Sequence, residues 1–296
     1  MNSVQRYRRR RELRLFHRGM RLDEWKEQDH PRDENGRFSG TGASSGGSSG
    51  DTFSKDAFSK ERKEGAKRYS VLEVMSDDFE DKHFKDDYSR DERDAIETYT
   101  SDDYRVINDG LRNERTFSPR HEQVIDNLTN SIDRHALDED MYLKRGVTGL
   151  TAFGMPNESD RFRQKCWEKE LTQEDVDKLA DQLVGEVITD DAFMSTDTAP
   201  DLLPTGDAAV VMNIYAPKGT KAMYIAPLSE VPGERETLVQ RGTSYRITGI
   251  HLNEKKKSTL KGGYGGIVID AEIVAQNPSK AKKNSQGRKV YSIKNK

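Results

Sequence analysis

Apolar residues recur at helical spacing through the first half of the chain and alternate with polar ones through much of the second. In SPRHEQVIDNLTNSIDRHA, Ser118 and Pro119 supply a helix start, and Ile125, Leu128 and Ile132 fall on one face. Ser89 and Glu92 form a capping box ahead of DERDAIETY, and Ser101 precedes a segment with Tyr104, Ile107 and Leu111 at the same spacing. A series of short helices is therefore expected before residue 136. Beyond it the pattern changes. MYLKRGV reads as a strand and TQEDVDKLADQLVGEV as a helix capped by Thr172. DAFMST, AAVVMNIYA, KAMYIA, ETLVQ, TSYRITGIHL and GGIVIDAEIV then read as short β-rich runs between Gly/Pro turns. Helices followed by strands predict an α+β domain, its helical N-terminal part packed on a mostly antiparallel sheet or sandwich.

Composition limits how much of the chain takes part. Only 32% of the 296 residues are hydrophobic and mean hydropathy is -0.95, too little apolar surface to order every segment. The expected division is an arm and linker over residues 1–54, one folded domain over 55–278 and a basic C-terminal tail over 279–296. The arm ends in a Gly/Ser tract, and its first 21 residues set a dense group of arginines against the single glutamate Glu12. Such an arm suits contact with a virion component, nucleic acid or another anionic partner, or simply keeps the chain soluble. The net charge of -3 argues against nucleic-acid binding by the whole chain. The single cysteine, Cys166, excludes an internal disulfide and a multi-cysteine zinc site. No apolar run is long enough for a membrane span, and no ordinary secretory signal is visible. His83, His121 and His135 show no ligand spacing, so no metal is expected.

The candidate chemistry lies in three places. In VPGERETLVQRG, Glu234 and Glu236 follow a Pro-Gly turn. In an extended segment their side chains would point to the same side of the backbone. Upstream, MYLKRGVTG ends a strand with Arg145, and FMSTDTAP ends another with Ser195 and Thr196.

A strand arginine, a Ser-Thr pair and a Glu-x-Glu, in that order, resemble the mono-ADP-ribosyltransferase family of the arginine-serine-glutamate type. The resemblance covers roughly residues 55–275. AIETYTSDDYRVINDGLR is similar to the helical entry of these enzymes, SIDRHALDEDMYLKRG to their first strand, and VPGERETLVQRGTSYRI to their turn loop and the strand after it. The fold it implies is the ADP-ribosyltransferase-like one, a helical part on a split, mostly antiparallel β-sandwich. The activity it implies is cleavage of the nicotinamide–ribose bond of NAD, used as substrate, and transfer of ADP-ribose to a protein acceptor, most readily arginine.

The resemblance also implies roles. Glu236 stabilises the positive charge that develops on the ribose, and Glu234 engages the acceptor guanidinium, by taking its proton or by orienting it. Arg145 holds phosphate, Gly146 admits close approach of the nicotinamide amide, Ser195 positions Glu236, and Thr196 supports the strand end. Two departures stand out. Asp197 occupies the third position of a Ser-Thr-Ser motif, and DTAPDLLPTGD lacks the aromatic and the arginine often found there, leaving Leu202 or Leu203 as apolar cover. No G-x-G-x-x-G follows a strand, so Rossmann-type binding is not expected. DHPRDENGRFSG, Asp29 to Gly40, resembles a segment of head-associated proteins of tailed bacteriophages. It implies a phage or prophage origin and a place in the virion or the host bacterial cytoplasm. The alternatives are an NAD glycohydrolase and a phage head-associated binding protein with a degenerate domain.

Overall fold

The computed structural model describes residues 51–168, 170–199, 208–230, 232–253, 266–278, 281–283 and 289–291. Residues 1–50 of the basic arm, with the phage-like segment Asp29 to Gly40, lie outside the described residues, as do Leu202 and Leu203.

Short helices come first, and local capping sets their starts. These are α1 (Lys60–Gly65), α2 (Val71–Val74), α3 (Asp77–His83), α4 (Arg90–Thr98), α5 (Tyr104–Arg112) and α6 (Pro119–Arg134). Capping boxes open α2 at Ser70/Glu73 and α4 at Ser89/Glu92, satisfying backbone donors that a helix end leaves unpaired. Proline opens α6, where its missing N–H costs nothing, and Ile125, Leu128 and Ile132 are fully buried along one face. Ser101 does not cap α5. Instead α4 runs into α5 through a wide turn at Tyr99–Asp103 with Ser101 off helical geometry, a kink that turns Tyr99 into the interior. Later come α7 (Pro156–Glu168) and α8 (Gln173–Leu183), the latter opened by the Thr172/Asp175 capping box.

The strands are β1 (Asp51–Thr52), β2 (Met141–Val147), β3 (Val187–Asp190), β4 (Met194–Asp197), β5 (Val210–Ala216), β6 (Ala222–Tyr224), β7 (Glu236–Val239), β8 (Thr243–Leu252) and β9 (Ile267–Gln276). They join in the order β3-β8-β9-β5-β2-β4-β7-β6, with β1 on the end of β9. Every described pair in this sheet is antiparallel except β5 with β9. The apolar run of β5 is almost wholly buried, as a central strand requires.

The sheet is split where β2 meets β4, which pair only at Lys144 and Asp197. Alternation along the smaller half then makes the sandwich. Phe193, Met223 and Leu238 pack with the helical cluster of α4 to α6, whereas Met194, Ala222 and Val239 pack with Leu143, Met212 and Ile269 of the larger half. The fold is thus α+β, with helices against a split, mostly antiparallel sandwich.

Beyond these strands, β10 (Ala281–Lys283) and β11 (Lys289–Tyr291) form a hairpin in the stretch read from the sequence as a basic tail. Tyr291 is buried, donates to Asp126 of α6 at 2.8 Å, and lies under the Arg241 guanidinium at 5.0 Å.

Candidate active site

Three strands and the α4–α5 kink converge at the split. On β7, Leu238 enters the helical core, so Glu236, two residues earlier, points to the same side. Ser195 of β4 stands across from Leu238, diagonal to Glu236, which sets its side chain beside the Glu236 carboxylate. From β2, Arg145 reaches over the split and donates from Nη1 to the Ser195 carbonyl at 3.0 Å. Arg145, Ser195 and Glu236 are therefore brought together from positions far apart in sequence. Gly146 follows Arg145 on β2, half-buried. Thr196 turns inward, its hydroxyl donating to the Thr237 carbonyl at 2.6 Å, which ties β4 to β7 directly beneath Glu236.

Glu236 is buried at 4% exposure. Burial pushes its carboxyl up to about 7; the neighbouring Glu234 charge adds to the rise, while the Ser195 hydroxyl and the Arg145 charge oppose it. Glu234 itself is exposed. The extended geometry expected for Glu-x-Glu is not what relates the two. Glu234 closes a single helical turn, Pro232–Glu234, and Arg235 adopts a left-handed backbone, φ 49°, before β7 begins at Glu236. A strand register would have fixed the two carboxylates at one spacing. Here a turn sets it, leaving one glutamate at the rim and one inside. Asp197 adds no bare charge to the site, because Arg235 Nη2 donates to its Oδ2 at 2.7 Å.

Several site residues carried no signal in the sequence reading. Arg112, at the end of α5, donates from Nε and Nη2 to both oxygens of buried Asp190, at 3.0 Å each. Arg145 Nη2 lies 3.9 Å from Asp190 Oδ2, so one carboxylate serves two guanidinium groups. Burial lowers Arg145 from the ordinary arginine value, and Arg112 adds to that effect while Asp190 opposes it. Burial works the same way on Arg112, but its two-point contact with Asp190 more than offsets it and the net shift is upward. Tyr99 and Tyr245 line the same place, both pushed up, first by burial. Asn108 donates to the Tyr99 hydroxyl at 2.9 Å, and its own buried Oδ1 has no hydrogen-bond partner among the described residues. One signal was available: Asn108 and Arg112, four residues apart on α5, border the apolar pair Ile107 and Leu111, an unusual place for two polar side chains.

The arrangement can do two things chemically. Its two partly buried guanidinium groups, both in contact with Asp190, suit an anionic ligand. Its buried carboxyl, with a hydroxyl beside it and its pKa raised to about 7, can meet a developing positive charge once ionised. Away from it, His83 gathers with Asp138 and Glu139, with one ligand atom from each lying within 4.8 Å of the others, a grouping that linear spacing does not reveal. There the Lys82 ammonium, 2.7 Å from Glu139, already supplies positive charge.

A family model described as ADP-ribosyltransferase exoenzyme matches residues 66–276. Among curated proteins, the epidermal cell differentiation inhibitor of Staphylococcus aureus is 28% identical over 182 residues, 58% of this chain and 73% of that protein. The NAD(+)–arginine ADP-ribosyltransferase EFV of Enterococcus faecalis is 27% identical over 157 residues, 52% of this chain but only 28% of that longer protein. Among solved structures, C3stau2 from S. aureus with NAD has a TM-score of 0.59 at 20% identity, covering 71% of this chain and 99% of that one. The Clostridium limosum C3 exoenzyme has a TM-score of 0.57 at 20% identity, covering 70% and 97%. At such identities these two structures speak for the fold alone.

Proposed function

The chain belongs to the ADP-ribosyltransferase exoenzyme family, and on that premise we propose that it is a mono-ADP-ribosyltransferase of the Glu-x-Glu type that modifies arginine on a protein. The observation that carries this reading is the buried Glu236 carboxyl, beside Ser195 and under the charge of Arg145, with Glu234 exposed two residues before it. The features of the site fit NAD. Arg145 and Arg112 present partly buried positive charge for the pyrophosphate, and the buried Asn108 Oδ1, without a hydrogen-bond partner among the described residues, offers an acceptor to a donor group of the dinucleotide. Glu236 and Ser195 face the sugar in this reading.

Each residue then has a task. Arg145 anchors the phosphates and so fixes the anomeric carbon beside Glu236. As the C1′–nitrogen bond breaks, nicotinamide leaves with the electron pair and the ribose becomes oxocarbenium-like, as in glycoside hydrolysis. Ionised Glu236 stabilises that charge, and burial makes its field stronger than in water. The acceptor guanidine nitrogen forms the new bond to C1′, and Glu234 receives the proton that this nitrogen sheds. A carboxylate is also the natural two-point partner for a planar guanidinium.

The test uses labelled NAD with a small guanidine acceptor and with host lysate. Glu234→Gln should cut transfer by about 10²-fold or more, the usual weight of a lost general base, while cutting NAD hydrolysis far less. Transfer that survives this substitution removes the arginine reading. A wild-type chain that only releases ADP-ribose is a glycohydrolase, and a chain with neither activity is a binding protein.

The titration of Glu236 adds a pH dependence. Catalysis needs the carboxylate, so kcat/KM for NAD should be flat at high pH and fall about tenfold per unit below pH 7. Glu234 contributes to the upward shift, so Glu234→Gln should move this limb of the hydrolysis profile to lower pH. An unmoved limb would separate the two carboxylates electrostatically.

A further inference from the structure

Arg235 is the residue between the two glutamates, and it makes an unusual commitment for a turn residue. Its backbone is left-handed at φ 49°, a region costly for a side chain of this size. Its guanidinium nonetheless points inward, with the side chain 14% exposed against 20% for its partner Asp197. Nη2 donates to Asp197 Oδ2 at 2.7 Å, Nε to Oδ1 at 3.4 Å, and Nη1 to the Gly233 carbonyl at 2.6 Å. The Arg235 carbonyl accepts from the Thr198 backbone N–H at 3.3 Å and from its hydroxyl at 2.7 Å. Asp197 is braced in turn, since Oδ1 accepts from the Ala199 backbone N–H at 2.8 Å. Asp197 also stands directly across from Glu236 in the β4–β7 ladder.

These contacts close a loop around Glu234. The side chain of Arg235 grips the residue two before it, at Gly233, and the strand opposite, at Asp197, while its own carbonyl is held by Thr198. Glu234, between Gly233 and Arg235, has its backbone fixed on both sides. We infer that the Asp197–Arg235 ion pair is a positioning clamp that aims Glu234 at the acceptor, so that Asp197 and Arg235 set the balance between transfer and hydrolysis without touching NAD. The inference rests on the acceptor role proposed for Glu234. A free turn would let that carboxylate wander by more than the small tolerance that proton transfer and two-point recognition allow. Glu236 would be less affected, because the backbone pairing of β4 with β7 and its own burial hold it independently.

The experiment compares wild type, Asp197→Asn, Arg235→Gly and the double variant, reading transfer to a small guanidine acceptor, NAD hydrolysis, KM for NAD and Tm in parallel. Glycine adopts the left-handed backbone without strain, so Arg235→Gly removes the clamp while leaving the turn conformation accessible. Each single variant should lose at least about tenfold in transfer, with hydrolysis and KM for NAD within about twofold of wild type. The double variant should be no worse than either, as expected for two residues acting as one unit. Restoring a carboxylate with Asp197→Glu should recover part of the loss. Transfer unchanged in the single variants overturns the clamp, as do additive losses or hydrolysis falling in parallel with transfer. If Glu234→Gln leaves wild-type transfer intact, the acceptor role of Glu234 falls first, and the clamp falls with it.

Discussion

Replacing Glu236 with glutamine should lower both transfer and hydrolysis by about 10²–10³-fold, the usual loss when one preorganised electrostatic contact to a developing charge is removed. The same substitution should make the folded protein more stable at pH 8. The two effects have one origin. Burial raises the Glu236 carboxyl from 4.5 to about 7, so the folded chain holds its proton more tightly than the unfolded chain does. The sign follows from that difference. The group adds no penalty below pH 4.5, where both states are protonated, and it costs progressively more stability as pH rises through about 7. At pH 8 the cost of keeping the buried carboxylate ionised is about 3 kcal/mol. Glutamine keeps the shape and a hydrogen-bonding group for Ser195 while carrying no charge. Denaturant melts of both proteins at pH 4 and pH 8 should therefore coincide at the lower pH and diverge at the higher, the inactive variant being the more stable. Equal stability at pH 8 would mean that Glu236 is solvated and that its field is too weak for the role proposed.

The strands around this site could be read from sequence because each carries its own pattern. The apolar run of Val210–Ala216, interrupted by Asn213, marks a central strand, and the alternation in Thr243–Leu252 marks one with a buried and an open face. Capping boxes gave the starts of α4 and α8 for the same reason, since their cause is local. Other elements had no such signature. Helix α7 buries only Ser159 and Phe162, so it lacks the apolar stripe that periodicity detects. The helix expected over TQEDVDKLADQLVGEV runs on to Val187, the first residue of β3, and the rest of β3 carries no strand signal, although Gly185, with φ 95°, marks the break after α8 ends at Leu183. The candidate site divides in the same way. Arg145, Ser195 and the glutamates sit in motifs at strand ends. Asp190 is an ordinary acid in VITDD until the fold sets it against Arg112, 78 residues away in sequence. Arg235 and Asp197 read as a middle position and a departure from pattern, and only the fold makes them partners.

That remote carboxylate underlies the largest stability effect expected. Asp190→Asn should destabilise the folded protein by about 3–5 kcal/mol, because it removes the buried charge that both Arg112 donors contact. Asparagine keeps the volume and can still accept from the Ala192 backbone N–H as Asp190 Oδ1 does at 3.0 Å, so the loss reports charge rather than packing. Both guanidinium groups contact this carboxylate, Arg145 at 3.9 Å and Arg112 at 3.0 Å. Adding Arg112→Met, which removes one of the stranded cations and fills its space with an apolar chain, should recover a good part of the loss. NAD offers a second rescue. Its pyrophosphate would bring to Arg145 the negative charge that the substitution removed, so saturating NAD should raise the Tm of Asp190→Asn by more than it raises that of the wild type. If NAD stabilises the two proteins equally, Arg145 does not hold its phosphates. If Asp190→Asn melts like the wild type, the shared ion pair carries no net weight in this fold, and Arg112 and Arg145 are solvated well enough without it.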